Sequence, residues 1–283
     1  MDSGVKILKI IGIVISVFII TVIAQNLGIL WHVFKWHRIE SILHAITYII
    51  AVYLLIKLFI TKVLNDKLSN YNIKPFRFYP SMFMLGILIP TLTIAIYILF
   101  VDGHFEMPNY THNESMYTTI IDTVFISSIA APIVEELTIR GVMVSYIAKK
   151  FNMFVAVIIP SLLFASLHLF NGMLSGTSLL LLIIGGTLAG ILYSLAMLTF
   201  NNIWASIYLH MIWNLFGLIT ISTHNEGIGV LQYTIKPNNI ALTGGEYGMD
   251  ASIISIAAYI LGIIILGIML YKKKTSATCS KYV

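Results

Sequence analysis

Apolar runs of about twenty residues recur along this chain, and each has the length an α-helix needs to cross a bilayer core about 30 Å thick. They fall at about residues 7–29, 39–63, 80–101, 119–147, 152–170, 178–199, 202–222 and 251–271. In hydrocarbon every backbone N–H and C=O must find its partner within the chain, so runs of this kind fold as helices. They predict an all-α polytopic membrane protein with eight transmembrane helices. Only 10% of the residues are charged and the mean hydropathy is +0.92, whereas a soluble domain carries about 25% charged residues. No internal repeat and no separate soluble domain interrupts the pattern. Residues 1–283 read as a single transmembrane domain with a polar, cytoplasmic tail at 272–283.

The basic residues give the orientation. With a cytoplasmic N-terminus and eight spans, Lys6, Lys9, Lys57, Lys62, Lys67, Lys74, Arg77, Lys149, Lys150, Lys272, Lys273, Lys274 and Lys281 all fall on the cytoplasmic side. Lys35, Arg38 and Lys236 fall on the other side, and Arg140 lies within a span. The loop DGHFEMPNYTHNES, 102–115, holds acids and no Lys or Arg. This is the positive-inside pattern, with both termini cytoplasmic. A cleavable leader ending near Val22-Ile23-Ala24 would leave seven spans, but the apolar run continues to Leu30 and Trp31. The net charge of +5 thus serves topology; no basic-aromatic repeat or glycine-rich phosphate loop points to nucleic acid. The one cysteine, Cys279, excludes an intrachain disulfide and a four-Cys metal site. The Ile-, Asn- and Lys-rich style reads as a multi-pass protein of a bacterial plasma membrane.

Ionisable groups inside a bilayer cost a few kcal/mol each, so they persist where they pair, line a wet cavity or do chemistry. The stretch APIVEELTIRG, 131–141, puts Glu135, Glu136 and Arg140 in the fourth span. His168 lies in the fifth, and His210 and Asn214 in the seventh. Glu136 and Arg140, four apart, share a helix face and can pair. Glu135 is turned about 100° away, so one carboxylate can be neutralised while the other faces a cavity. His210 and Asn214 also share a face. Glu40 and His44 begin the second span, close enough to the interface to be solvated, and His32, His37, His104, His112 and His224 fall in loops. GGTLAG, 185–190, supplies small residues for close helix packing in the sixth span.

A partly desolvated carboxylate is a better base towards water. A histidine beside it can orient or deprotonate that water, and a histidine and an asparagine on one face can donate to an oxyanion. These are parts for peptide or ester hydrolysis. A glutamate and two histidines converging from three helices could instead hold zinc, although no HExxH is present.

EELTIR matches the pattern EExxxR, FASLH the pattern FxxxH, and HMIWN the pattern HxxxN, in that order on separate apolar helices. This resembles the CPBP family, the CAAX proteases and bacteriocin-processing enzymes also called Abi, related to the type II CAAX prenyl endopeptidases. The motif core covers residues 119–222. The resemblance implies an eight-helix membrane protease with an intramembrane active site. On that pattern Glu135 is the water-activating base, His168 its partner, and His210 with Asn214 the oxyanion pair. Glu136 and Arg140 support them. The family is described both as metal-dependent and as glutamic; Asn214, a good oxyanion donor and a poor zinc ligand, favours the glutamic type without a cofactor, with zinc on Glu135, His168 and His210 as the alternative. The same Ile-, Asn- and Lys-rich style points to a low-GC Gram-positive bacterium, which does not prenylate CAAX proteins, so the expected substrate is a membrane-associated peptide or protein, as in peptide maturation or bacteriocin immunity. Two rivals stand beside the protease. One is a non-catalytic scaffold or regulator that keeps the fold and binds a membrane-protein partner such as a sensor kinase. The other is a proton-relay transporter, which would need polar groups along a path rather than in one zone.

Overall fold

The structure, a computed structural model, describes residues 3–36, 39–110, 115–171, 176–236 and 239–279. His37, Arg38, His112 and Lys281 lie outside the described residues. Eight principal helices follow the apolar runs: α1 (Ser3–Ile29), α2 (Ile39–Leu58), α3 (Pro80–Phe100), α4 (Met116–Ala148), α5 (Met153–Leu167), α6 (Gly176–Phe200), α7 (Trp204–Leu215) and α8 (Ile253–Cys279). Six of them, α1, α2, α3, α4, α6 and α8, are long and apolar enough to cross a membrane. The other two are shorter: α5 has 15 residues and α7 has 12. At about 1.5 Å per residue they fall short of the roughly 30 Å hydrocarbon core. Each is prolonged by a 3-10 turn, His168–Asn171 and Phe216–Leu218. The turn that ends α5 carries His168, and α7 carries His210 and Asn214.

Contacts between connecting segments define two ends of the bundle. At one end Lys149 pairs with Asp66, Ile203 N–H donates to Asn72 O, and Lys273 Nζ donates to Thr199 O. Lys6, at the start of α1, lies over the Phe151 ring there. The start of α1 and the end of α8 therefore share this basic end. The polar tail from 272 is helical as far as Cys279, continuing α8.

At the opposite end sits a three-stranded sheet absent from the sequence expectation: β1 (Gly103–Glu106), β2 (Ile219–Ser222) and β3 (Leu231–Ile235), in the order β1-β3-β2. β1 pairs antiparallel with β3, Phe105 opposite Tyr233, and β2 pairs parallel with it, Ile221 opposite Tyr233. The seventh run was expected to stay helical to 222. It leaves the helix at Leu215 because Gly217 is followed by the β-branched stretch Ile219-Thr220-Ile221, which favours strand and finds a partner in β3.

Packing depends on small residues. Gly186 and Gly190 of α6 meet α5 so closely that a Cβ would lie 2.9 Å from Ala165 Cβ and 2.7 Å from Ser161 Cβ. Large apolar side chains such as Leu99, Phe100, Phe154 and Leu180 face outward. α4 is the most enclosed: every residue from Glu136 to Val144 is buried. Glu40 and His44, expected to be solvated, are also buried. Gly28 of α1 makes room for His44: its ring occupies the space a Cβ there would take, and His44 Nδ1 lies 3.1 Å from His32 Nε2.

Candidate active site

α4 is not a regular helix. Two of its stretches, Asp122–Ala130 and Glu136–Val144, are wound as π-helix, a form concentrated at functional sites. Pro132 gives a local cause for the first. In the wide turn the N–H of Ala131 bonds back to Ile126 O, so residue 132 would bond back to Ser127 O. Proline has no N–H. The Ser127 carbonyl is left for another donor, and Asn214 Nδ2 takes it at 2.8 Å. One missing backbone proton in α4 thus anchors a side chain of α7.

The adjacent glutamates diverge as the helical spacing requires. Glu136 is fully buried, with Arg140 Nη1 3.1 Å and His210 Nδ1 3.0 Å from its Oε1. The approach of Arg140 is close but not aligned as a hydrogen bond, so charge attraction holds it. Its guanidinium carbon also lies 4.4 Å from the Phe164 ring centroid and 5.3 Å from that of Tyr193, and those ring faces favour a cation. Glu135 is partly exposed, and its Oε2 lies 3.7 Å from His210 Nε2. His210 therefore bridges the pair, and Tyr193 stacks on its ring at 4.5 Å and 14°.

Glu135, His168, His210 and Asn214 all line one cavity of about 400 Å³. The different depths along α5 and α7 are reconciled because His168 comes at the end of α5, where its Nδ1 lies 2.7 Å from Phe164 O. That carbonyl is an acceptor, so Nδ1 carries a proton and is engaged there, which leaves Nε2 as the ring nitrogen without that partner. His210 is fixed in the same manner: Nδ1–H donates to Glu136, and Nε2 is turned to Glu135. Among the described residues, no three His, Cys, Asp or Glu side chains gather to hold a metal ion. The set Glu135, His168 and His210 does not fit a metal as placed.

The cavity has further walls that sequence reasoning missed. Asp250 and Tyr247, from the turns before α8, line it too. Asp250 accepts a hydrogen bond from Trp213 Nε1 at 3.1 Å. Its carboxyl is open to the cavity yet walled in by protein, and this burial pushes its pKa above the usual value, against the Trp213 hydrogen bond and the nearby His168 and His210. Tyr247 is likewise raised by burial and faces the His168 ring at 6.0 Å. The one available signal was a lone Asp just before an apolar run.

No curated protein and no solved structure gives a match. Residues 117–216 match the family described as Type II CAAX prenyl endopeptidase Rce1-like. The match begins in α4 and ends just beyond α7, so it takes in all three motifs and leaves out Asp250. With EELTIR, FASLH and HMIWN in order on α4, α5 and α7, this stretch, about a third of the chain, is similar to that family of membrane proteases.

Proposed function

We propose that the protein is an intramembrane endopeptidase that hydrolyses a peptide bond of a membrane-associated peptide or protein. The observation that carries the reading is Glu135, 3.7 Å from His210, on a cavity of about 400 Å³ shared with His168 and Asn214. A cavity of this size can take several residues of an extended peptide.

A water held between Glu135 and His168 Nε2 loses a proton to the carboxylate as its oxygen attacks the peptide carbonyl carbon. The C=O pair moves onto oxygen, where Asn214 supplies one N–H donor, its other being used on Ser127. His210 supplies a second from Nε2 when that nitrogen is protonated, since Nδ1–H is engaged by Glu136. The C–N bond then breaks as the proton held by Glu135 passes to the leaving nitrogen. Products are a carboxylate and an amine. Glu136 and Arg140 position His210 and do not touch the reacting atoms. No metal step is needed in this scheme.

The site opens towards the sheet end of the bundle, opposite the basic end. With positive residues inside, both termini are cytoplasmic and substrate enters from the outer face of a bacterial plasma membrane. Peptide maturation or bacteriocin immunity suits such a position. The test compares Glu135→Gln and His168→Ala with the parent protein in proteoliposomes, using quenched fluorogenic peptides. Loss of cleavage with retained fold supports the protease. Full cellular activity in both variants would transfer the assignment to a scaffold or regulator of a membrane partner.

A further inference from the structure

The sheet has two edge strands, β1 and β2, and the edge of β2 borders a groove. β3 lies between β1 and β2, so β2 has a strand neighbour on one side only. Against β2 lies a groove of about 630 Å³, lined by every residue from Ile219 to His224. Successive side chains of a strand point to opposite faces, so a cavity over one face meets alternate residues. A cavity met by all of them runs along the edge, where backbone N–H and C=O groups project. The opposite wall is the segment Gly245–Asp250.

The groove is continuous with the candidate active site. Gly217, Tyr247 and Asp250 line both spaces. The Gly217 Cβ position has nothing within 4 Å, so the junction is open there. β2 follows α7 directly after the turn Phe216–Leu218, so it leads away from Asn214 with its first residue nearest the site.

We propose that the free edge of β2 is the substrate dock: an extended segment of the substrate polypeptide adds to it as a further strand and is led past Gly217 to Glu135. This rests on the protease reading above. An open edge strand is a template for pairing, and strand addition draws affinity from main-chain hydrogen bonds and selectivity from alternate side-chain pockets. The groove's lining carries Glu226, which pairs with His224, together with Glu246 and Asp250 and no Lys or Arg, so the segment it favours bears a basic rather than an acidic side chain.

The test uses a quenched fluorogenic library of ten-residue peptides, with lysine or glutamate at each position, on the parent protein and on Glu135→Gln in nanodiscs. Cleavage is read with the parent and binding, by anisotropy, with the variant. Backbone N-methylation is then scanned along a bound peptide. Expected is a loss of about tenfold, or about 1.4 kcal/mol, at every second position on one side of the cut, and a preference for lysine. Thr223→Cys, made in a Cys279→Ser background, is expected to form a disulfide with cysteine placed at one register of the peptide. Uniform tolerance of N-methylation, absence of binding to Glu135→Gln, or no cross-link at position 223 overturns the dock. Absence of Glu135-dependent cleavage overturns the protease instead, and the binding arm still decides the strand.

Discussion

His210 Nδ1 lies 3.0 Å from Glu136 Oε1, and that contact decides which ring nitrogen is left for Glu135. The neighbouring carboxylates therefore have unlike duties. Glu136 is sealed in protein with Arg140 and His210, whereas Glu135 opens on the cavity.

Substituting each to glutamine separates the two. Glu135→Gln keeps its fold and lowers cleavage by about 10²–10⁴-fold, the usual worth of a general base. Glu136→Gln leaves Arg140 buried without its counter-charge, and breaking such a pair costs about 3–5 kcal/mol. It unfolds at lower temperature, read by thermal denaturation in detergent. Equal stability of the two variants would contradict this division.

Pro132 and Asn214 are coupled through the Ser127 carbonyl. Asn214→Ala is expected to lower kcat by about 10²–10³-fold, as for removal of one oxyanion donor. Pro132→Ala restores an N–H able to take Ser127 O from Asn214, so it lowers kcat although it touches no reacting atom. The double variant falls no further than Asn214→Ala alone. Additive losses would show that the two residues act independently.

How much of this was readable beforehand follows from the kind of signal each part leaves. Six of the helices were legible because their apolar runs are of bilayer length, whereas the fifth and seventh runs fold as helices of only 15 and 12 residues. Glu135, Glu136, Arg140, His168, His210 and Asn214 stood out because charge and amide inside such runs are costly. The sheet was not legible: β2 has 4 residues and β3 has 5, and β2 sat within an apolar stretch already accounted for by a span. The π-wound turns of α4 are a matter of hydrogen-bond register, which residue spacing does not reveal. Asp250 lay in a connecting segment, where an acid looks solvated; only folding brings it beside Trp213.

The α5–α6 crossing gives a stability prediction. Gly190 lies against Ser161, with no room for a side chain. Gly190→Val is expected to cost about 1–3 kcal/mol through overpacking. Gly12, whose Cβ position has nothing within 4 Å, tolerates alanine. The check is the melting temperature of both variants in one detergent.

Metal dependence is tested by chelation. As placed, the residues Glu135, His168 and His210 do not gather around one ion. Cleavage by the purified protein is expected to survive a strong chelator. Loss of cleavage, restored by zinc, would move the water from Glu135 to a metal held by those three residues.

At the basic end, Asp66 accepts from Lys149 at 2.6 Å, and also from Asn70 and the Lys67 N–H. These bonds, that of Lys149 first, hold its carboxyl down at about 2. The unfolded value is near 4. The folded value is depressed, so the stabilisation is fully present above about pH 4 and is lost as pH falls towards 2. The pair is partly exposed, so Asp66→Asn lowers the melting temperature slightly at pH 6, as expected for a pair worth at most about 1 kcal/mol. The gap between variant and parent closes as acid is added.

Asp250 responds with the opposite sign. Burial raises its folded pKa, so the folded protein binds a proton where the unfolded chain has released it. Stability from this group is full below about pH 4 and declines as pH rises through the folded value. Asp250→Asn removes the decline: at neutral pH it melts above the parent, and at pH 4 the two converge. Its cleavage should change in pH profile, because the charge facing His168 and His210 is gone. An unchanged profile together with an unchanged melting curve would mean that Asp250 stays ionised at all working pH values and that its carboxylate is hydrated by the cavity.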